Sequence, residues 1–166
     1  GGAGNIPDAS RAAHAAGIRQ AVTAGYEMLA LGASALDAAQ TAVMLLEDLP
    51  AFNAGRGSCL TSAGTTEMDA GLMDGRDLRV GAVASIGGVS HPIQVARLVM
   101  DKSDHILFSG AGAEAFAQAQ GVPSAPLTAL LTESRQQEFE QMRAAEMAQP
   151  ARGGEAADTV GAVALD

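Results

Sequence analysis

The chain opens with apolar residues three and four positions apart, which is the spacing of one helix face. Between Arg11 and Leu31 these positions are Ile18, Val22, Tyr26 and Leu29. They predict an amphipathic helix that ends at Gly32, because glycine is favoured just beyond a helix C-terminus. We expect this apolar stripe to form the buried face of the helix.

A second helix is predicted from Ser34 to the Glu47-Asp48 pair. Ser34 and Asp37 have the three-residue spacing of a capping box. The apolar stripe continues with Leu36, Ala39, Val43 and Leu46. Pro50 cannot continue a helix. Because only a short Gly-Ala turn separates the two helices, we expect them to pack as neighbours and cover one face of a sheet.

Alternating residues predict a β-hairpin in the middle of the chain. Thr65–Gly75 and Arg79–Ile86 both have strand character, and the Asp74-Gly75-Arg76-Asp77 run between them favours a turn. A third helix is predicted from Ile93 to Met100 behind Pro92, then a short strand over 105–108, then a fourth helix from Glu114. Helices alternating with antiparallel strands indicate an α+β fold.

The last 35 residues change character. Thr132–Gln149 is rich in Glu, Gln, Arg and Ala, and 150–157 is small, polar and glycine-rich, so we expect a helix that frays into an exposed linker. Thr159–Asp166 then has strong strand character. Since a buried strand ends the sequence, and since the chain starts with Gly1 rather than Met, we expect a fragment of a longer protein.

Composition excludes several classes of protein. The 166 residues fit one domain, and 48% hydrophobic with 17% charged residues is a globular composition. Neither a signal peptide nor an apolar run long enough for a membrane span is visible. Ten basic against nineteen acidic residues give a net charge of −9, which disfavours nucleic acid. The single cysteine, Cys59, is expected in the core; it is compatible with the cytoplasm and nearly excludes a Cys/His zinc site.

Candidate nucleophiles narrow to one threonine. The Gly-x-Ser-x-Gly signature is absent, and Cys59 has no neighbouring base. Thr159 begins an apolar strand directly after the predicted linker. If the bond before Thr159 were cut, its hydroxyl would share a residue with an α-amine of pKa about 7.7–8.0, a nucleophile with its own general base. Propensity alone would make Thr159 an ordinary strand residue.

Several segments together resemble one family over essentially the whole chain. They are Asn53-Ala54-Gly55-Arg56-Gly57-Ser58, Glu67-Met68-Asp69-Ala70, Met73-Asp74-Gly75, Val80-Gly81-Ala82-Val83-Ala84, His91-Pro92-Ile93, Ala96-Arg97 and the run from Asp158 to Asp166. The chain resembles the plant-type L-asparaginase/isoaspartyl peptidase family. Gly1-Gly2-Ala3-Gly4 resembles the end of that family's His-Gly-Gly-Ala-Gly segment.

The resemblance implies a four-layer αββα sandwich of the Ntn-hydrolase type. By this analogy 1–131 belongs to the α subunit, 132–158 is the helix and linker before the cleavage site, and 159–166 begins the β subunit. It also implies self-cleavage between Asp158 and Thr159, with Thr159 as nucleophile. Asn53 would lie beside it, and Gly1 and Gly2 would form a glycine loop against it.

The resemblance further implies binding partners. A structural sodium ion would be held by backbone carbonyls of Leu46, Glu47, Leu49, Phe52, Ala54 and Arg56, with no cofactor needed for catalysis. Oxygen ligands suit such a hard cation. The substrate would be L-asparagine or a β-aspartyl dipeptide, and the chain would join its own β subunit in a dimer of αβ units, in the cytoplasm. The remaining substrate-binding and oxyanion-hole residues of the family would lie in that β subunit.

Alternatives follow from other features. Asp158, where many plant-type members have glycine, resembles the related glycosylasparaginases and leaves the substrate subclass open. Gly110–Ala115 matches the Gly-x-Gly-x-x-Ala form of a dinucleotide fingerprint, with Glu133 near the expected distance. The helix Arg135–Arg143 could instead bind a partner, although it has few apolar anchors.

Overall fold

The structure is a computed structural model that describes residues 8–148 and 159–166, with backbone alone for 146–148. It is a mixed α and β fold with one three-stranded sheet in the described ranges. The helices are α1 (Asp8–Ala30), α2 (Ala35–Asp48), α3 (Pro92–Lys102), α4 (Gly110–Ala119), α5 (Leu127–Leu130) and α6 (Glu133–Ala148). The strands are β1 (Met68–Met73), β2 (Val80–Ile86) and β3 (Leu107–Ser109). Within those ranges, no helix has the length and apolar character needed to cross a membrane.

The predicted pair of neighbouring helices is confirmed, but the predicted buried face of α1 is wrong. Ile18, Val22 and Tyr26 are 47%, 64% and 71% exposed. The residues that α1 buries are Gly17, Ala21 and Gly25. A Cβ on Gly25 would lie 3.3 Å from the Ala38 carbonyl of α2, so small side chains let the two helix backbones approach closely.

The start of α2 follows the prediction. Ser34 occupies the N-cap position, and its Oγ accepts a hydrogen bond from Asp37 N at 3.2 Å. The same hydroxyl donates to Asp37 Oδ2 at 2.7 Å, so the two side chains fix the first turn together. At its other end α2 stops at Asp48, two residues before Pro50.

The β-hairpin is confirmed, with one irregularity. β1 and β2 pair antiparallel, and their register shifts between Met68 and Ala70. The extra residue is on β2, where Ser85 has a φ of 48°, and its backbone N–H donates to Asp69 Oδ1 at 2.7 Å. The Asp69 side chain therefore replaces a hydrogen bond that the bulge takes from the ladder.

The expected alternation of helices with antiparallel strands is wrong at β3. β3 pairs parallel with β2, through Ala82–Leu107, Val83–Phe108 and Ala84–Ser109. The reason is α3, which supplies the crossover that two parallel strands need. α3 packs on β2 and β1, and its central residues Val95, Ala96 and Val99 are fully buried in the main core.

The segment 159–166 is not hydrogen-bonded into the three-stranded sheet, contrary to the strand prediction. It keeps a period-two pattern, in which Val160, Ala162 and Ala164 are half-buried and the residues between them are exposed. Strand propensity is local, whereas a ladder needs a partner strand, and β1, β2 and β3 do not serve as one.

Candidate functional site

Residues 49–58 form a loop that folds back onto the end of α2. Arg56 N donates to the Glu47 carbonyl at 2.7 Å, and Gly57 N donates to the Leu130 carbonyl at 2.9 Å. Arg135 Nε donates to the Gly57 carbonyl at 2.6 Å. The loop is therefore held from three sides by α2, the end of α5 and the start of α6.

Asn53 lies within this loop and has an ordered side chain. Its Oδ1 accepts a hydrogen bond from Cys59 N at 2.8 Å. Next to it Phe52 is buried, in edge contact with His14 of α1 at 5.0 Å between ring centroids. Cys59 itself is half-buried rather than part of the core, and its backbone N–H is the group that holds Asn53.

Gly55 explains how closely the loop approaches the helices. It has a φ of +48° and is buried. A Cβ there would meet the Glu47 carbonyl, and would lie 2.7 Å from both Glu47 Cβ and the Ser90 carbonyl. Any other residue would push the loop out of the crevice between α2 and the start of α3.

The segment that begins with Thr159 lies along α2. Val160 and Ala162 pack against a small core of Ala21, Ala42, Leu46 and Phe52. At the far end Asp166 Oδ2 accepts a hydrogen bond from Ala35 N at 2.8 Å, where a carboxylate is favourable because it meets the N-terminus of α2. These contacts anchor the segment along α2.

Asn53 and Thr159 line the same cavity. The cavity has a volume of about 640 Å³, and its walls come from α2, β1, the start of α3, residues 53–59 and the segment 159–164. Its acidic lining residues are Glu47, Glu67 and Asp69. A volume of several hundred Å³ is that of a small-molecule site. On the other side of the same segment, an apolar cavity of about 520 Å³ is lined by Ile18, Val22 and Tyr26.

A buried acid lies at the edge of this site. Glu47 is 2% exposed, and its Oε1 accepts a hydrogen bond from Ile93 N at 3.1 Å. His91 Nδ1 lies 3.3 Å from Glu47 Oε2, and His91 Nε2 lies 3.5 Å from Asp48 Oδ1. Burial raises the pKa of the Glu47 carboxyl. Contact with Glu47 raises the pKa of His91.

The six residues predicted to hold sodium all belong to the end of α2 and the loop after it. Three of their carbonyls already accept backbone hydrogen bonds: Leu46 from Leu49 N, Glu47 from Arg56 N and Leu49 from Phe52 N. Each carbonyl oxygen has a second lone pair. A Cβ on Gly57 would lie 2.8 Å from the Phe52 carbonyl, so that oxygen faces the inside of the loop. In donor chemistry these carbonyl oxygens suit a hard cation such as sodium, and the site itself stays a prediction.

Three residues predicted to belong to the site are not among those that the structure describes. Gly1, Gly2 and Asp158 lie outside the described residues. The Glu47 side chain and the contacts of His91 were not predicted from the sequence. Glu47 follows Val43 by four residues, on the helix face that the apolar stripe marks, and an acid at such a position was the available signal. Within the described ranges, no cluster of three His, Cys, Asp or Glu side chains could hold a metal.

The dinucleotide fingerprint does not form its loop. β3 ends at Ser109 and α4 begins at Gly110, so Gly110–Ala115 forms the first turns of a helix. Ala113 is fully buried, and Glu114 Oε1 accepts a hydrogen bond from Gly87 N at 3.2 Å. The glycine turn that a dinucleotide-binding strand–helix unit uses for the pyrophosphate is missing here.

Comparison with known proteins gives one consistent result. The asparaginase family profile matches residues 1–166. The isoaspartyl peptidase/L-asparaginase of Rattus norvegicus is 45% identical over 166 residues, which is 100% of this chain and 50% of that protein. The human protein of the same name is 45% identical over all of this chain and 54% of its own length. The plant-type L-asparaginase of Pyrococcus abyssi is 48% identical over 144 residues, which is 86% of this chain and 46% of that protein.

The matches cover this chain more fully than they cover the relatives. The chain spans about half the length of the curated relatives it matches. The loop and threonine segments that carry the resemblance line one cavity. Because the asparaginase family profile also matches this chain from residue 1 to residue 166, the chain belongs to the asparaginase family.

Proposed function

We propose that the full-length protein is a self-cleaving amidohydrolase that acts on β-aspartyl peptides, on the side-chain amide of L-asparagine, or on both. The observation that carries this proposal is that Asn53 and Thr159, more than a hundred positions apart in the sequence, line one cavity in a chain of this family. The names of the relatives support the substrate class.

The first step of the proposed mechanism is self-cleavage. Thr159 Oγ attacks the carbonyl carbon of Asp158, and the C–N bond of that peptide breaks as a C–O ester bond forms. The hydroxyl proton ends on the nitrogen of Thr159, which becomes a free α-amine. Water then hydrolyses the ester, releasing the Asp158 carboxylate and restoring the Thr159 hydroxyl.

The second step uses the same residue on the substrate. The α-amine of Thr159 takes the proton from Oγ, which attacks the side-chain carbonyl of the substrate. The proton passes to the leaving group, which is ammonia from asparagine or the amine of the next residue in a β-aspartyl peptide. Water attacks the acyl-enzyme and releases aspartate. An amine with pKa about 7.7–8.0 can act as this base near neutral pH.

Asn53 is proposed to act beside the nucleophile. The hydrogen bond from Cys59 N fixes its Oδ1, and therefore fixes the orientation of the whole amide group. A side-chain amide in a fixed orientation can stabilise charge that develops on the reacting carbonyl without reorganising. Gly1 and Gly2 are proposed to complete this wall of the site.

The sodium ion is a separate proposal. Carbonyls of Leu46, Glu47, Leu49, Phe52, Ala54 and Arg56 would hold it, and it would stiffen the loop without taking part in the chemistry. If so, replacing sodium chloride by choline chloride at equal ionic strength lowers the Tm of the wild-type protein. An unchanged Tm would contradict a bound structural sodium.

The wider architecture is also proposed from the family. The described helices and sheet would form part of a four-layer αββα sandwich of the Ntn-hydrolase type, with 1–158 as α subunit and Thr159 as the first residue of the β subunit. Two αβ units would form a dimer. We place the protein in the cytoplasm, in keeping with its single cysteine.

The substrate proposal is tested with a panel of amides. The wild-type full-length protein is incubated with a β-aspartyl dipeptide, L-asparagine and glycosylasparagine, and released aspartate is measured. We expect hydrolysis of the first or second substrate, loss of activity in Thr159→Ala, and partial retention in Thr159→Ser, which keeps a hydroxyl nucleophile. Hydrolysis of glycosylasparagine alone would assign the related glycosylasparaginase activity instead. Full activity in Thr159→Ala would refute the proposed nucleophile.

A further inference from the structure

Glu47 and His91 join the end of one helix to the start of another. Glu47 lies in the last turn of α2, and His91 is the residue before α3. The N-cap side chain of α3 makes no capping hydrogen bond. Instead, Glu47 Oε1 accepts the hydrogen bond from Ile93 N at 3.1 Å. A carboxylate from α2 therefore satisfies one of the N–H groups that the first turn of α3 leaves unpaired.

The second oxygen of Glu47 depends on His91. Within the described part of the chain, neither Glu47 Oε2 nor His91 Nδ1 has a well-aligned hydrogen bond, although both atoms are buried. The two atoms are 3.3 Å apart. A buried carboxylate oxygen needs a donor or a cation, and His91 is placed to supply one.

The loop of residues 49–58, called the Asn53 loop below, packs against this junction. Gly55 fits the crevice between Glu47 and the Ser90 carbonyl with no room for a Cβ, and Arg56 N donates to the Glu47 carbonyl. The crevice has Glu47 on one wall and the residue before His91 on the other. The width of the crevice therefore depends on the contact between the Glu47 and His91 side chains.

A change in that width reaches the reacting groups. Gly55 is two residues from Asn53, whose Oδ1 is held by Cys59 N on the far side of the loop. A displacement of about 1 Å can lower the rate of an enzyme reaction by on the order of a hundredfold, because the reacting atoms lose their alignment.

We infer that Glu47 and His91 form a positioning pair, which holds the Asn53 loop at the correct distance from Thr159. Glu47 lines the cavity and His91 does not, and the pair acts on the loop through the Gly55 crevice. This inference rests on the proposed function, since it assigns the loop a role in the reaction of Thr159.

The test uses three substitutions of His91 in the full-length protein. His91→Asn keeps a donor at the position of Nδ1, the atom that faces Glu47. His91→Gln places the amide near the position of Nε2, the atom that faces Asp48. His91→Leu keeps neither donor. Glu140→Gln, on the exposed face of α6, is the control for surface substitutions.

We expect His91→Leu to lower kcat on the order of tenfold with KM unchanged, because Asn53 is proposed beside the nucleophile. His91→Asn should restore most of kcat, and His91→Gln should not. Amide hydrogen exchange gives a second measurement that does not depend on activity. Protection at Arg56 and Cys59 should fall in His91→Leu and His91→Gln, and should return in His91→Asn.

Each remaining outcome has a definite meaning. Wild-type kcat and wild-type protection in folded His91→Leu would overturn the inference, as would His91→Asn behaving like His91→Leu. If His91→Leu does not fold, the kcat values of His91→Asn and His91→Gln are compared instead. A higher kcat in His91→Gln than in His91→Asn would overturn the inference. If the wild-type protein hydrolyses none of the three amides, the proposed function fails, and the exchange data alone decide whether the pair positions the loop.

Discussion

Replacing Gly55 by alanine should be far more harmful than the same change at Gly110. The two glycines have nearly the same backbone conformation, with φ of +48° and +49°. Alanine in this left-handed region costs about 1–2 kcal/mol at either site. At Gly110 a Cβ would have nothing within 4 Å, whereas at Gly55 it would press on Glu47 and on the Ser90 carbonyl.

The contacts at Gly55 add the cost of overpacking, which is about 1–3 kcal/mol. Much of the surrounding surface is backbone, so it cannot move aside as a flexible side chain would. We therefore expect Gly55→Ala to lower the free energy of unfolding by about 2–5 kcal/mol, and Gly110→Ala by about 1–2 kcal/mol. The loop should also shift, so that self-cleavage slows in Gly55→Ala and not in Gly110→Ala.

Urea unfolding followed by circular dichroism measures the first effect, and gel analysis of chain cleavage over time measures the second. Both variants and the wild type are compared at the same temperature and ionic strength. Equal destabilisation by the two substitutions would show that the crevice is not tight. Normal cleavage in a well-folded Gly55→Ala protein would show that the loop position does not matter for the reaction.

Three further predictions concern the framework around the site. Gly81→Ala should lower the free energy of unfolding by about 1–3 kcal/mol or more, because a Cβ there would meet the α3 backbone. Gly71→Ala on the neighbouring strand should be tolerated, since the nearest contact of its Cβ would be 3.6 Å away. Urea unfolding compares the two variants. Asp74 has its pKa lowered to about 2 from 3.8, chiefly by hydrogen bonds from the Arg76 side chain. Because the folded-state pKa is the lower one, the stabilisation is complete above about pH 4 and is lost as the pH falls toward 2; Asp74→Asn should lack this acid-dependent loss in unfolding experiments across that range. Ser34→Ala removes the N-cap of α2 and should cost about 1 kcal/mol, and an unchanged urea midpoint would argue against the cap.

Local signals predicted much of the fold. The Ser34 and Asp37 spacing identified the start of α2, and the Asp-Gly turn identified the hairpin between β1 and β2. These features depend on residues close together in the sequence, where capping and turn chemistry act directly. The helix over 133–148 was also predicted, and its residues 133–145 are mostly exposed, as expected.

The errors lie where distant parts of the chain meet. The large apolar residues of α1 were expected in its buried face, but the residues that α1 buries are Gly17, Ala21 and Gly25, of which Gly25 faces α2 and Gly17 faces Leu49 and Phe52. Hydrophobicity marks Ile18 and Val22 and says nothing about how closely two backbones approach. The parallel pairing of β3 with β2 was missed for a similar reason, since strand direction depends on the crossover through α3.

The candidate site was predicted unevenly. Asn53 and Thr159 were identified through family resemblance, and the structure places both on one cavity; their catalytic roles remain predictions. The positions of the Glu47 side chain and His91 were not predicted, because their meeting depends on how α2 packs beside α3. Carbonyl ligands such as those proposed for sodium leave no side-chain signature in a sequence.

The most direct test of the account is the intact mass of the full-length protein under denaturing conditions, beside its Thr159→Ala variant. We expect two chains for the wild type, an N-terminal fragment that ends at Asp158 and a second chain that begins at Thr159. We expect one uncut chain for the variant. A wild-type protein that stays whole after long incubation, or a variant that is cut at the same bond, would contradict the assignment of Thr159 as the nucleophile.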